Sequence, residues 1–235
     1  MILFENAHIL CLNKPRFVHS TGRGFDTLRD TIFGLCPEAL FSSPHPADSG
    51  LVNRLDFETS GVVVVAKYPE SWMDWHKAFI GGEVRKEYIA LVEGVPAGPK
   101  SISNFIGSRY RGSSKVTISE SPKARYLAAE SNLALLHVGD NSLVSLVRVS
   151  TSTGRRHQVR AHCAHLGHPL VGDFLYGANR DLLRDLGVKA DQLACDNAGF
   201  FLHASRVVRG KIVIEAPLVD QFKDVVMVLF ARGWM

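Results

Sequence analysis

Residues 51–67, L-V-N-R-L-D-F-E-T-S-G-V-V-V-V-A-K, decide the architecture. Four valines bounded by Gly61 on one side and by Lys67-Tyr68-Pro69 on the other read as a buried strand. Asp56 therefore lies on the loop that feeds a core strand, where rigid scaffold holds a side chain that can still face a cleft. Taken alone, the stretch fits a carboxylate that only caps a turn, accepting from the amides of Glu58 or Thr59.

Outward from this strand, the chain of 235 residues is 46% hydrophobic, enough for an ample core, and a single domain over 1–235 is expected. No apolar run approaches the ~20 residues of a membrane span. The opening M-I-L-F-E-N-A-H has no basic segment followed by a long apolar one, so a cytoplasmic protein without membrane contact is expected. Cys11, Cys36, Cys163 and Cys195 form no C-x-x-C pair and read as buried reduced thiols. The formal net charge of +4 permits a nucleic-acid partner without requiring one. Its distribution says more. Arg109, Arg111, Lys115, Lys123 and Arg125 face only Glu120 in their stretch, and Arg148, Arg155, Arg156 and Arg160 occur with no acid between them. Two acid-poor, arginine-rich stretches favour a polyanion over an ordinary solvated face.

The order of elements points to an α+β fold with a large mixed or mainly antiparallel sheet flanked by helices. A strand over 7–13 stops at Lys14-Pro15. Asp26 can cap a helix to about Leu35, with Leu28, Ile32 and Leu35 at helical spacing. Residues 41–50 read as a loop, and Pro69 opens a helix whose Trp72, Trp75, Ala78 and Phe79 form a core-facing stripe. Over 85–94, Tyr88, Ala90 and Val92 share one strand face, so Tyr88 is either a core tyrosine or an aromatic wall of a cleft. Further strands are expected at 115–119, 124–130, 133–138 and 143–150, with Ser131-Asn132 as one of the turns. Strands near Val207 and 212–214 and a helix over 220–231 close the chain.

Residues 153–177, T-G-R-R-H-Q-V-R-A-H-C-A-H-L-G-H-P-L-V-G-D-F-L-Y-G, are the densest in chemistry. Thr153 can cap a helix to about Leu166 that carries Arg156, Val159, Arg160 and Cys163 on neighbouring positions. His157, His162, His165 and His168 match no familiar zinc spacing, and no metal is expected.

Several of these stretches together resemble the RluA-type RNA pseudouridine synthase family. They are N-R-L-D-F-E-T-S-G at 53–61, K-E-Y-I-A-L-V-E-G at 86–94, T-G-R-R-H-Q-V-R-A-H at 153–162, G-H-P-L-V-G-D-F-L-Y-G at 167–177 and L-H-A at 202–204. The opening I-L-C-L-N-K-P is similar to the family's first strand. The resemblance implies isomerisation of uridine to pseudouridine in tRNA or rRNA, with no cofactor. Asp56 matches the family's catalytic carboxylate, Arg160 the basic residue that pairs with it, Tyr88 the tyrosine that stacks on the base, and Leu202 an apolar wall of the uracil pocket. Arg54 matches the arginine that braces the space an extruded base leaves, while Arg155, Arg156 and His157 stand as RNA contacts. Asn53 departs from the His usual before Arg-Leu-Asp. A monomer is expected, and the start of the chain leaves no room for an appended N-terminal RNA-binding domain. Two other readings remain: a non-catalytic RNA-binding or RNA-chaperone protein on the same fold, and an unrelated hydrolase in which Glu58 would be the second carboxylate.

Overall fold

A computed structural model of the protein describes residues 1–22, 27–188 and 199–230. In chain order the elements are β1 (Ile2–Glu5), β2 (Ile9–Lys14), α1 (Leu28–Leu35), β3 (Ser60–Ala66), α2 (Pro69–Gly81), β4 (Arg85–Glu93), β5 (Lys100–Gly107), β6 (Thr117–Ser119), β7 (Tyr126–Val138), β8 (Val144–Thr151), α3 (Gln158–His165), α4 (Leu182–Asp185), β9 (Leu202–Arg209), β10 (Ile212–Glu215) and α5 (Asp220–Leu229). The strands build a large mixed sheet flanked by helices, the fold class expected from sequence. The chain divides into two compact units, Met1–Lys86 with His203–Val219, and Glu87–Leu202 with Asp220–Met235.

In the first unit the strand order is β1-β2-β3-β9, with β10 on β9. The valine run is β3, and all seven of its residues are buried. Val62, Val64 and Ala66 pack with Trp75 and Ala78 of α2, while Val63 and Val65 pack with Leu28 and Ile32 of α1. Both faces are thus covered, which is why the strand reads as continuous rather than alternating apolar sequence. Strand β2 pairs with β3 antiparallel from Ile9↔Ala66 to Lys14↔Gly61, and β9 pairs parallel at Ser60↔His203 and Gly61↔Ala204. At that parallel contact Gly61 has φ of 112°, and a Cβ there would overlap the Ala204 carbonyl. The imidazole of His203 joins Ser60 Oγ at 2.9 Å through Nδ1 and Ala216 O at 3.1 Å through Nε2. Only an Nε2–H tautomer can donate to that carbonyl, so Nδ1 accepts from the Ser60 hydroxyl. Burial lowers the pKa of His203, favouring this neutral form.

The expected cap Asp26 lies outside the described residues; Thr27 occupies the N-cap of α1 and accepts from Arg29 N at 3.3 Å. The expected loop at 41–50 follows a 3-10 turn at Pro37–Phe41 and contains another at Pro46–Asp48.

The second unit has the order β4-β8-β7-β5-β6. Two expectations are corrected here. Ser131-Asn132 is no turn: β7 runs unbroken, with Ser131 opposite Ile102 on β5 and Asn132 opposite Ser150 on β8. Its polar side chains find partners in the sheet, Asn132 Oδ1 accepting from Ser101 Oγ at 2.7 Å and Ser131 Oγ lying 3.0 Å from Gln158 Nε2. Nor does Thr153 cap a helix. Helix α3 starts only at Gln158, because Thr153 Oγ1 is engaged with the main chain of Glu130 and with Gln158, and His157 is left-handed at φ 52°. Arg156 therefore precedes the helix on which its spacing had placed it. Strands β1 and β5 are additional to those expected from sequence. The expected ends of the last helix and of the excursion after Gly177 fall partly outside the described residues. Cys11, Cys36 and Cys163 are buried free thiols. Among the described residues no helix is long and apolar enough to cross a membrane.

Candidate active site

Asp56 is presented by a connection that the first unit holds through its main chain. Before the connection, residues 50–53 lie against β3: Ala66 N donates to Gly50 O at 2.8 Å and Val52 N to Val64 O at 3.0 Å. The Asn53 side chain continues this ladder, accepting from Val64 N at 2.8 Å and donating to Val62 O at 3.3 Å. An amide offers the same donor and acceptor as a peptide, so Asn53 extends the ladder as main chain would.

The chain then turns through Asp56 back into β3. Thr59 N donates to the main-chain carbonyl of Asp56 at 3.1 Å, closing this turn. Segment 14–20 braces both neighbours of Asp56. Leu55 exchanges two hydrogen bonds with Ser20 Oγ, at 2.9 Å from its N–H and 2.8 Å to its carbonyl. Phe57 O accepts from Phe17 N at 2.8 Å and from Lys14 Nζ at 3.2 Å, and Glu58 O from Arg16 Nε at 3.3 Å. Asp56 is partly buried and Arg54 is exposed.

Lys14 has no exposed surface. Its ammonium meets three carbonyls, those of Pro15 (3.0 Å), Val18 (2.7 Å) and Phe57 (3.2 Å), which matches its three donors. Burial pushes its pKa down from the usual 10.5 to about 7, against the pull of the Asp56 and Glu58 charges, and Arg16 adds to the lowering. In the sequence this lysine is marked only by its place in the stretch I-L-C-L-N-K-P at 9–15.

The second unit gathers three more of the sequence-predicted residues. Tyr88 and Leu202 belong to one apolar cluster with Val159, Cys163, Leu170 and Phe200. Arg160 lies with its guanidinium 4.1 Å from the centre of the Phe200 ring and 5.1 Å from that of Tyr176. It is only 6% exposed, and it donates from Nε to Asp173 Oδ2 at 2.7 Å and from Nη2 to Asp173 Oδ1 at 2.9 Å. Such a fork fixes both position and plane of the guanidinium. Asp173 is a partner that sequence reasoning missed, although it sits in the quoted G-D-F-L-Y-G. Gly172, at φ 85°, lets that turn pass where a Cβ would overlap the Gly199 carbonyl.

Tyr176, in the same stretch, also has no role foreseen from sequence. Its hydroxyl accepts from Val116 N at 3.0 Å and joins His157 Nδ1 at 3.1 Å, and Lys115 Nζ lies 5.0 Å from its ring centre. Burial raises its pKa, so the phenol stays protonated.

The remaining predicted RNA contacts are anchored to the protein. Arg155 Nε donates to Ala128 O at 2.8 Å. Arg156 Nη2 donates to Ser108 Oγ at 3.1 Å and to Ser113 O at 2.6 Å. Gln158 organises this rim: its side-chain oxygen accepts from Arg155 N and Thr153 Oγ1, both at 3.0 Å, and its amide nitrogen reaches Glu130 O at 2.9 Å. Arg155 and Arg156 also line a cavity of ≈ 540 Å³ with Arg111 and Arg125. Among the described residues no cluster of three or more His, Cys, Asp or Glu side chains could hold a metal.

Comparison with known proteins agrees with these features. Residues 8–165 match the model of the RNA pseudouridylate synthase family. Ribosomal large subunit pseudouridine synthase C of Buchnera aphidicola subsp. Baizongia pistaciae is 32% identical over 231 residues, covering 96% of this chain and 69% of that protein. Ribosomal large subunit pseudouridine synthase D of Xylella fastidiosa is 30% identical over 258 residues, covering 99% of this chain and 72% of that one. In fold, the chain is similar to human RNA Pseudouridylate Synthase Domain Containing 4, with a TM-score of 0.74 at 22% identity, covering 97% of this chain and 92% of the other. A family match over residues 8–165, joined to identities of 30% and above along most of both chains, establishes that this chain belongs to the RNA pseudouridylate synthase family.

Proposed function

We propose that the chain converts uridine to pseudouridine in ribosomal RNA, with Asp56 as the carboxylate that attacks or assists at the reacting nucleoside. As a pseudouridine synthase it is an isomerase acting on RNA. The C1′–N1 bond breaks, the freed uracil turns, a C1′–C5 bond forms, and a proton leaves C5 while N1 gains one. Nothing is oxidised or reduced, so no redox cofactor enters the balance. The Asp56 carboxylate serves a C1′, C6 or glycal route equally well in charge terms.

The observation that carries this reading is the bracing of Asp56 through the main chain of Leu55 and Phe57. A reacting group must be held to within a fraction of an ångström, and backbone contacts on both sides supply that. Arg160 serves as the cation offered to the carboxylate in the reacting complex, its guanidinium already oriented by Asp173. Tyr88 stacks on the uracil and Leu202 lines its pocket, a role supported by the apolar cluster they share. Extruding a uridine costs a few kcal/mol, which Arg54 and the basic rim of Arg155, Arg156 and His157 offset. Ribosomal RNA as the substrate rests on the names of the relatives, and a cytoplasmic monomer is the corresponding expectation.

Asp56→Asn tests the assignment. Pseudouridine in total rRNA and tRNA is mapped in cells lacking the protein and rescued with either form. A site lost on deletion should return with wild type alone, while purified Asp56→Asn still binds the RNA. Substantial turnover by the variant would remove Asp56 from the chemistry. A site restored by both forms would favour the RNA-chaperone reading.

A further inference from the structure

The cavity in the second unit has a composition that phosphate contact alone does not require. Of its four arginines, Arg155 and Arg156 are tied to the protein, whereas the guanidinium groups of Arg111 and Arg125 have no hydrogen-bond or ion-pair partner among the described residues. Arg125 is held at a left-handed φ of 69°, an unusual conformation for a non-glycine residue. Beside these cations lie apolar groups. Ile106 and Val116 are buried, but Leu127 is 56% exposed and Tyr110 70% exposed. Gly107, Gly112 and Gly154 also line it, and at Gly112 no atom lies within 4 Å of where a Cβ would sit, leaving main chain there accessible to a ligand. The volume of ≈ 540 Å³ falls inside the about 300–1,000 Å³ typical of small-molecule sites. Loose guanidiniums next to an uncovered leucine and tyrosine match a ligand with an anionic end and a flat apolar end.

We infer that this cavity receives one further ribonucleotide of the substrate RNA, unstacked from its neighbours and distinct from the uridine that reacts. Its phosphate lies against Arg111 and Arg125, and its base lies over Leu127 and Tyr110. The inference rests on the RNA reading above and adds a second point of recognition to it. The anchored arginines make the pocket rigid; the two loose ones close on the phosphate. Because an unpaired nucleotide is needed in addition to the target, the cavity selects RNA shape as well as charge.

The test titrates isotopically labelled protein with uridine 5′-monophosphate, adenosine 5′-monophosphate and inorganic phosphate, following amide resonances. The nucleotides should move the amides of Gly107, Gly112 and Gly154 at millimolar concentration, with inorganic phosphate at least fivefold weaker. The Arg111→Ala/Arg125→Ala protein should bind the nucleotides at least fivefold more weakly. Leu127→Asp should weaken nucleotides while leaving the response to inorganic phosphate within about twofold. With unmodified in-vitro-transcribed rRNA, the double arginine variant should show a shallower dependence of log K on log salt, by roughly one for each phosphate it no longer neutralises. Equal binding of inorganic phosphate and nucleotides would overturn the proposal, as would nucleotide shifts unchanged in the double variant. An inert Asp56→Asn protein that keeps the nucleotide response would separate this site from the catalytic assignment.

Discussion

Arg160 and Asp173 form a buried pair that neither member can leave without cost. Asp173 is only 2% exposed, and its two carboxylate oxygens are matched to two guanidinium nitrogens. Asp173→Asn keeps the shape but removes the charge opposite a buried guanidinium, and Arg160→Ala removes both donors that Asp173 accepts from. Each should destabilise by about 3–5 kcal/mol, read by urea unfolding. Asp173→Asn should also slow turnover, since it loosens the cation proposed to serve Asp56. A variant with wild-type stability and rate would mean the pair is dispensable. The sequence revealed Arg160 through its place in T-G-R-R-H-Q-V-R-A-H, but not Asp173, whose carboxylate becomes meaningful only once the turn at 172–176 returns it to α3. The same holds for Tyr176. Its contacts come from Val116, His157 and Lys115, and none is a neighbour along the chain. Side chains whose roles depend on long-range closure leave no local periodicity to read.

Elements that bury fixed faces are the easiest to foresee. Strand β3 and helix α2 appear where the valine run and the tryptophan stripe place them, because burial on fixed faces leaves a regular apolar pattern. Strand β7 defeats the local signal because Ser131 and Asn132 are turn formers by preference, and their cross-strand partners outweigh it. Strand β5 escapes notice because its inward positions include Asn104, buried and 3.1 Å from His162 Nε2. At this scale the sharpest prediction concerns Gly61→Ala. The added methyl would meet the Ala204 carbonyl, and φ of 112° is closed to alanine, so the parallel contact of β3 with β9 must break. The variant should lose several kcal/mol in chemical denaturation, about the most a single substitution commonly costs, or accumulate unfolded. Gly112→Ala is the control for backbone strain without a clash, since no atom lies within 4 Å of a Cβ there.

The whole molecule should have a pH-dependent stability with opposing slopes. Lys14 titrates at about 7 when folded and near 10.5 when unfolded, so between those values the unfolded chain binds more protons and stability rises with pH. Below about 7 the full cost of the buried charge is present. His162, lowered by burial and by His165 from 6.5 to about 4, carries no proton in the native state where the unfolded chain does, so stability falls as pH drops from 6.5 toward 4. Above pH 9 the buried thiols act in the opposite sense: Cys11 and Cys163, pushed up to about 12, keep protons that the unfolded chain releases. Urea midpoints should therefore climb from pH 5 to 9 and level or turn beyond it. Lys14→Met should flatten the rise between pH 7 and 9 while leaving the acid side alone; an unchanged slope would mean that the lysine keeps its proton throughout. The pairing of Ser60 with His203 spans 143 positions, so the strand that follows Asp56 is translated long before the strand beside it. At about 5–20 residues per second, roughly 7–30 s separate the two events on the ribosome. During that interval the growing chain holds the carboxylate loop without the neighbour that closes its sheet. Nascent copies should therefore be inert toward the RNA around them, with activity beginning only once β9 has been made.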